Sequence, residues 1–109
     1  MRTLRFIVDG QLITRDPNCD FTGLVPGTEG YLKAEFSFSP EWTGCVKVAG
    51  FYSNMGEEFP CQVLTDGKSC TIPAMALKNR TFKIKVFGKR NEFKINTNKV
   101  EVTQNGGKV

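Results

Sequence analysis

Apolar and polar residues alternate almost without error over residues 82–103, and this pattern constrains the fold more than any other feature of the chain. Within it, Ile84 and Val86 alternate with Lys83 and Lys85. Because successive side chains of a β-strand point to opposite faces, the period of two predicts strands with one apolar and one cationic face. We therefore expect a sheet that is buried on one side and solvated on the other.

Similar strand-like segments, separated by turn-forming residues, recur along the whole sequence. They cover residues 2–8, 11–14, 31–38, 45–53, 59–64, 69–72, 81–87, 92–97 and 99–103, and one helical turn is expected after Pro73. The interruption of the alternation at Gly50 predicts a bulge, and residues 88–91 are expected to form the last hairpin turn. The sequence therefore predicts an all-β fold, an antiparallel immunoglobulin-like sandwich of about seven to eight strands, with a small β-barrel as the alternative. Residues 1–109 are expected to form a single domain, with 104–109 as a flexible tail.

The apolar positions of these strands predict the core. Val46 and Val48, on either side of Lys47, are expected to face inward, and Trp42, the only tryptophan, is expected to close the end of the sandwich. From the residues alone, the expected core includes Phe36, Trp42, Val48, Ile84, Val86 and Ile95.

Positive charge is concentrated at the C-terminal end. The net charge is +4, with 6 Lys+Arg against 9 Asp+Glu in residues 1–77 and 9 against 2 in residues 78–109. Such a region could attract nucleic acid, anionic lipid or an acidic protein surface, although lysines at alternate positions are also expected on any solvated sheet face. Candidate contact residues here are Lys83, Lys85 and Lys94 on one exposed face, with Lys89 and Arg90 at a hairpin tip. Phe87 is also expected to face outward.

A second candidate contact is the stretch from position 15 to 30, which is rich in turn-forming residues. A loop of this length in a small domain is more often functional than accidental. Its candidate contact residues are Arg15, Asp16, Asn18, Asp20 and Phe21.

The sequence offers little for catalysis. It has no histidine and no CxxC pair, so we expect no metal, no cofactor and no enzymatic activity. The four cysteines, Cys19, Cys45, Cys61 and Cys70, are expected to be reduced thiols, with Cys45 and Cys70 as small buried apolar groups. On an extracellular particle they could form two late disulfides, with three connectivities open. No apolar run suits a membrane helix and the first residues do not resemble a signal peptide, so we expect synthesis in a cytoplasm.

Three strings carry a family resemblance: FSFSPEWTGCVKVAGF, DGKSCTIPAMALKNRTFKIKVFG and KINTNKVEVTQNGG. Their order and spacing over roughly residues 31–107 resemble phage and prophage structural proteins of Gram-positive hosts. The similar part is the immunoglobulin-like N-terminal domain of baseplate upper proteins and tail-fibre attachment modules. The resemblance implies that Trp42, Ile72, Pro73 and Val100 occupy core or corner positions.

The resemblance also implies a virion component that docks to other proteins and carries no catalytic residue. Its partners would be other virion proteins, as a homo-oligomer or with a longer fibre or baseplate subunit. The position would be a baseplate, a tail-fibre attachment or a head-fibre or capsid decoration, reached after synthesis in the bacterial host. The alternatives are a small phage-encoded protein that acts on a host defence system, and a module that binds nucleic acid or glycan.

Overall fold

Nine strands, one 3-10 helix and one α-helical turn make up the computed structural model, which describes residues 1–106. The elements are β1 (Arg2–Asp9), β2 (Leu12–Arg15), β3 (Leu32–Phe38), the 3-10 helix (Pro40–Trp42), β4 (Val46–Ser53), β5 (Glu58–Val63), β6 (Ser69–Thr71), α1 (Ala74–Leu77), β7 (Thr81–Arg90), β8 (Phe93–Asn96) and β9 (Val100–Thr103). Their order matches the strands and the helical turn expected from the sequence.

The strands form two sheets packed face to face. One is a four-stranded sheet in the order β2-β1-β3-β6; the other is a five-stranded sheet in the order β5-β4-β7-β8, with β9 also paired to β7. The all-β sandwich is therefore confirmed, and the sheets do not close into a barrel. The pairing is antiparallel except between β1 and β3, which run parallel in register from Arg2↔Leu32 to Val8↔Phe38.

The core lies between the two sheets. The inward-facing apolar residues of β7 are fully buried, and Val102 of β9 is buried beside them. Of the expected core residues, Phe36, Trp42, Ile72, Ile84, Val86 and Ile95 are buried, and Val100 is partly buried against the cluster. The alternation over residues 82–103 therefore identified the apolar face of this sheet correctly.

The prediction that Val46 and Val48 face inward is wrong. Val46 is 64% exposed and Val48 is only partly buried, whereas Ala49 and Phe51 are 0% exposed. The reason is the pairing with β7, which places Val48 opposite Phe87 and Ala49 opposite Val86. Since directly paired residues share a face, the buried Val86 draws Ala49 into the core and leaves both valines outside.

At two strand positions a glycine leaves room for a neighbouring large side chain. A bulge does lie beside Gly50, where the β4–β5 register shifts between Ala49 and Phe51, but its extra residue is on β5, since β4 pairs with β7 without a shift. Gly88 continues the inward-facing series of β7, and a Cβ added there would lie 2.7 Å from Cζ3 of Trp42. Trp42 is fully buried and its Nε1 donates a hydrogen bond to the carbonyl of Gly10 at 2.9 Å, so it closes the end of the sandwich as expected.

The last hairpin differs from the expectation. The turn is not formed by residues 88–91, because β7 continues to Arg90, which pairs with Phe93. The turn itself is Asn91-Glu92, and Asn91 has a φ of 54°. Asparagine tolerates this left-handed conformation better than most residues, which allows the strands to continue to the tip.

The prediction of a flexible tail from Gln104 onward is wrong for residues 104–106. Gln104 is 1% exposed, and its Nε2 donates to the carbonyls of Leu77 and Asn79 at 3.0 and 2.8 Å. The backbone N–H of Gly106 donates to Leu24 at 2.7 Å. These hydrogen bonds tie the segment to α1 and to the long loop. The rest of the expected tail lies outside the described residues.

One strand edge is covered by a side chain. The Oδ1 of Asn98 accepts a hydrogen bond from the backbone N–H of Ile13 in β2 at 2.8 Å. Its Nδ2 donates to the carbonyl of Ile13 at 3.4 Å, and its backbone N–H donates to Gln11 at 3.2 Å. The segment between β8 and β9 therefore occupies the edge of β2 that β1 leaves free.

Candidate functional site

The outer surface of the five-stranded sheet is the strongest candidate for a binding surface, and we call it the basic face. It is formed by the outward-facing residues of three strands, which are Val46, Val48, Gly50 and Tyr52 of β4, Lys83, Lys85, Phe87 and Lys89 of β7, and Lys94 and Asn96 of β8. Val63 extends it onto β5, where it pairs with Val48. The three lysines expected on one exposed face, Lys83, Lys85 and Lys94, all lie here.

Positive charge on this face is not balanced by ion pairs. In the part of the chain that the structure describes, the only ion pair joins Arg5 to Glu35 at 3.0 Å, on the outer surface of the other sheet. Glu101 pairs in register with Lys83 and Glu58 with Tyr52, both at one end of the face. At the opposite end Lys89 pairs in register with Lys94, and Glu92 in the adjacent turn forms an ion pair with neither lysine.

Lysine ammonium groups cover the aromatic rings of the basic face. The Nζ of Lys85 lies 5.0 Å from the ring centroid of Phe87, and the Nζ of Lys99 lies 4.1 Å from that of Tyr52. Such contacts are electrostatically favourable and hold the lysines over the sheet. Burial raises the pKa of Tyr52, and the nearby Glu58 adds to the rise, so its hydroxyl stays protonated at neutral pH.

A groove of about 790 Å³ runs across the end of the basic face where charge is unbalanced. The lining residues come from β4, β7, β8 and the last turn: Val46, Val48, Phe87, Gly88, Lys89, Asn91, Lys94 and Asn96. Two valines and a phenylalanine form its floor, and two lysines and two asparagines border it. The groove can therefore receive an apolar group and an anion at once.

Lys89 and Lys94 lie directly opposite each other across the β7–β8 pair, and both are exposed. Directly paired side chains have Cβ atoms about 4.5–5.5 Å apart, and like charges at such positions destabilise a sheet. In residues 1–106 neither ammonium group has a carboxylate within ion-pair distance. The pair therefore has a local electrostatic penalty that an anion in the groove would relieve.

Arg90, another predicted contact residue, does not belong to this groove. It pairs with Phe93, and both side chains lie on the face of the hairpin opposite to the groove. The Arg90 guanidinium lies 4.7 Å from the Phe93 ring centroid. Its Nη1 donates a hydrogen bond to the carbonyl of Thr43. Arg90 thus ties the hairpin tip to the turn that follows the 3-10 helix, which is a structural contact.

The predicted loop contacts lie against the other sheet. Phe21 packs edge-on against Phe6 with ring centroids 5.5 Å apart, and the guanidinium of Arg15 lies 5.3 Å from the Phe21 centroid. Asp16 accepts a hydrogen bond from the backbone N–H of Asn18 at 2.9 Å. The loop is therefore packed onto β1 and partly into the core. The structure does not join these residues and the basic face into one site.

Asp20 stabilises the same loop locally. Its Oδ1 accepts hydrogen bonds from the backbone N–H and the hydroxyl of Thr22, at 2.8 and 2.6 Å. The hydrogen bond from the Thr22 hydroxyl lowers the pKa of Asp20 most, and the bond from the Thr22 backbone N–H also lowers it. The guanidinium of Arg2 lowers it further. The same guanidinium donates to the carbonyls of Asp20 and Thr22 at 2.9 and 2.6 Å.

The cysteines are free thiols in different environments. Cys45 and Cys70 are buried, as expected, whereas Cys61 is exposed on the edge strand β5. Burial raises the pKa of the Cys70 thiol to about 12, with a further contribution from Asp66. Among residues 1–106 no three Cys, Asp or Glu side chains come together as metal ligands, and no helix is long and apolar enough to span a membrane.

The sequence predicts the lysines of the candidate site and the outward-facing Phe87 of its floor, but not the valines. The alternation around Lys47 predicts that Val46 and Val48 face inward, and no pattern in the sequence singles out Val63. The same holds for Tyr52, which is 8% exposed beneath Lys99. One signal was present: the segment VKVAGFYS has apolar residues at both odd and even positions, which is typical of a strand with apolar side chains on both faces.

No family model, curated protein or solved structure matches this chain.

Proposed function

We propose that this chain is a non-enzymatic structural module of a phage particle, which docks to other virion proteins through the basic face. The proposal combines the motif pattern over residues 31–107 with a surface suited to protein contact. The chain would be made in the bacterial host and then incorporated into the tail, baseplate or capsid surface.

The observation that carries the docking role is the apolar content of the basic face. Val46 is 64% exposed and Val63 is 55% exposed, and Val48 pairs with Val63 on one side and with Phe87 on the other. An apolar centre with a charged border is typical of a protein–protein interface. The face is also a backbone-paired sheet, so a partner would meet a rigid surface and little conformational entropy would be lost on binding.

Particle composition tests this proposal. Particles purified from infected or induced cells are expected to contain the chain, by quantitative mass spectrometry, in a fixed ratio to the major capsid protein. The variant Val46→Glu should lower that ratio by about tenfold or more, since ~1.4 kcal/mol of lost docking energy corresponds to a factor of ten.

Ile7→Glu is the matched control. Ile7 is an exposed apolar residue on the outer face of the four-stranded sheet, where it is 36% exposed. This variant should be incorporated like the unmodified chain. Absence of the unmodified chain from purified particles would overturn the virion role. Equal loss of both variants would overturn the assignment of docking to the basic face.

A further inference from the structure

The groove at the unbalanced end of the basic face combines two features that suit one kind of ligand. Lys89 and Lys94 repel each other across the β7–β8 pair, and no carboxylate of residues 1–106 lies within ion-pair distance of either. Beside them, Val46, Val48 and Phe87 present an apolar floor that is partly open to solvent. A ligand that fits must carry negative charge and an apolar group a few ångströms apart.

We propose that this groove binds an acidic segment of a partner protein, with a carboxylate between Lys89 and Lys94 and a neighbouring apolar side chain against Val46 and Val48, the part of the floor that Lys85 does not cover. The inference rests on the docking function proposed above and specifies the chemistry of the partner. Asn91 and Asn96, which border the groove, can donate or accept hydrogen bonds with the backbone of the bound segment.

The same observations argue against single-stranded nucleic acid as the ligand. Proteins that bind single strands stack bases on the open faces of aromatic rings. On the basic face, Lys85 lies over Phe87 and Lys99 lies over Tyr52, so a base would first have to displace a lysine from each ring. The part of the groove nearest Lys89 and Lys94 is aliphatic, which suits a leucine or valine side chain better than a base.

The test uses the purified 109-residue chain and a fluorescent peptide of about ten residues, long enough to cross strands ~4.8 Å apart, with alternating glutamate and leucine. Fluorescence anisotropy should show binding at low salt, and backbone amide NMR shifts should change mainly in β4, β7 and β8. A peptide with glutamine in place of glutamate should bind at least about tenfold more weakly, since it lacks the charge that the lysines attract.

Two double variants locate the interaction. Lys89→Gln with Lys94→Gln should weaken binding of the glutamate peptide by about tenfold or more. Lys33→Gln with Lys68→Gln changes the net charge equally but lies away from the groove, and should weaken it by no more than about twofold, the effect of long-range charge alone. Equal weakening by both pairs would overturn the proposal, as would equal binding of the glutamine peptide. Tighter binding of an oligothymidylate of about ten nucleotides would overturn it in favour of nucleic acid.

Failure of this inference can be separated from failure of the proposed function. If the glutamate peptide does not bind but Val46→Glu removes the chain from particles, docking through the basic face stands and the acidic partner is wrong. If the peptide binds at the groove but the chain is absent from particles, the groove chemistry stands and the virion role is wrong.

Discussion

Replacement of Gly88 by alanine should destabilise this domain, although alanine is the smallest possible addition. Gly88 faces inward on β7 against the indole ring of Trp42. A Cβ at this position would lie 2.7 Å from Cζ3 and 2.8 Å from Cε3 of that ring, and 3.1 Å from Cγ2 of Ile95. Carbon atoms pack best at about 3.5–4.0 Å, so the ring would have to retreat by roughly 1 Å.

The indole ring has little freedom to retreat. Trp42 is fully buried, lies 5.1 Å from the ring centroid of Phe38, and donates its Nε1–H to Gly10 at 2.9 Å. Overpacking of this kind typically costs about 1–3 kcal/mol. Alanine also restricts the unfolded chain, which returns about 0.4–1 kcal/mol. The two figures together leave about 0–2.6 kcal/mol. Because the ring has little freedom to retreat, we expect a net destabilisation of about 1–2 kcal/mol, a substantial part of the ~5–15 kcal/mol that stabilises a typical domain.

Urea denaturation followed by far-UV circular dichroism measures this change, and the fluorescence of the single tryptophan reports on its environment. A double-mutant cycle with Trp42→Phe identifies the cause, because the shorter phenylalanine ring leaves room for a methyl group at position 88. The cost of Gly88→Ala should fall by at least about 0.5 kcal/mol in that background. A Gly88→Ala protein within ~0.3 kcal/mol of the unmodified chain, or an equal cost in both backgrounds, would refute the steric argument.

Three further predictions test the assignment of faces and environments. Val86→Asp should unfold the domain because it buries an unpaired charge, whereas Lys85→Asp should remain folded by circular dichroism; equal tolerance of the two would contradict the face assignment. Lys94→Glu should stabilise the domain by about 0.2–1 kcal/mol in urea denaturation, because it replaces the repulsion between Lys94 and Lys89 by an attraction. The same variant should not bind the glutamate peptide. A lower stability than that of the unmodified chain would argue against the repulsion. Iodoacetamide should alkylate exposed Cys61 while Cys70, whose thiol pKa is raised to about 12 by burial, stays unmodified in the folded protein; peptide mass spectrometry would detect the opposite order if the burial were wrong.

The sequence predicts the orientation of a strand well where charged and large apolar residues alternate, because only one orientation then buries the apolar side chains. In β7, lysines alternate with large apolar residues, so only one orientation buries the apolar set, and Ile84 and Val86 were assigned correctly. In β4, both orientations bury something apolar, so local pattern cannot choose between them. The choice is made by pairing with β7, where Val48 lies opposite Phe87, and such long-range register is not encoded within the segment itself.

The candidate site was only partly accessible to sequence reasoning for the same reason. The lysines of β7 and β8 are near each other in sequence and follow from alternation. The two valines of the floor come from β4, some forty positions earlier, and their place beside Phe87 becomes visible only when the strands are paired. The parallel pairing of β1 with β3 was likewise unexpected, since nothing in either segment distinguishes a parallel neighbour from an antiparallel one.

The contact between Asn98 and Ile13 has a consequence for how copies of this chain can meet. An exposed strand edge is a template on which another chain can add a strand, and this is a common route to aggregation and domain swapping. Asn98 occupies both the N–H and the carbonyl that β2 would offer at Ile13. On the five-stranded sheet, the edge strand β5 carries Pro60, which has no N–H to donate. Crowded copies would therefore find interrupted ladders at β2 and at β5, which disfavours strand addition at one edge of each sheet.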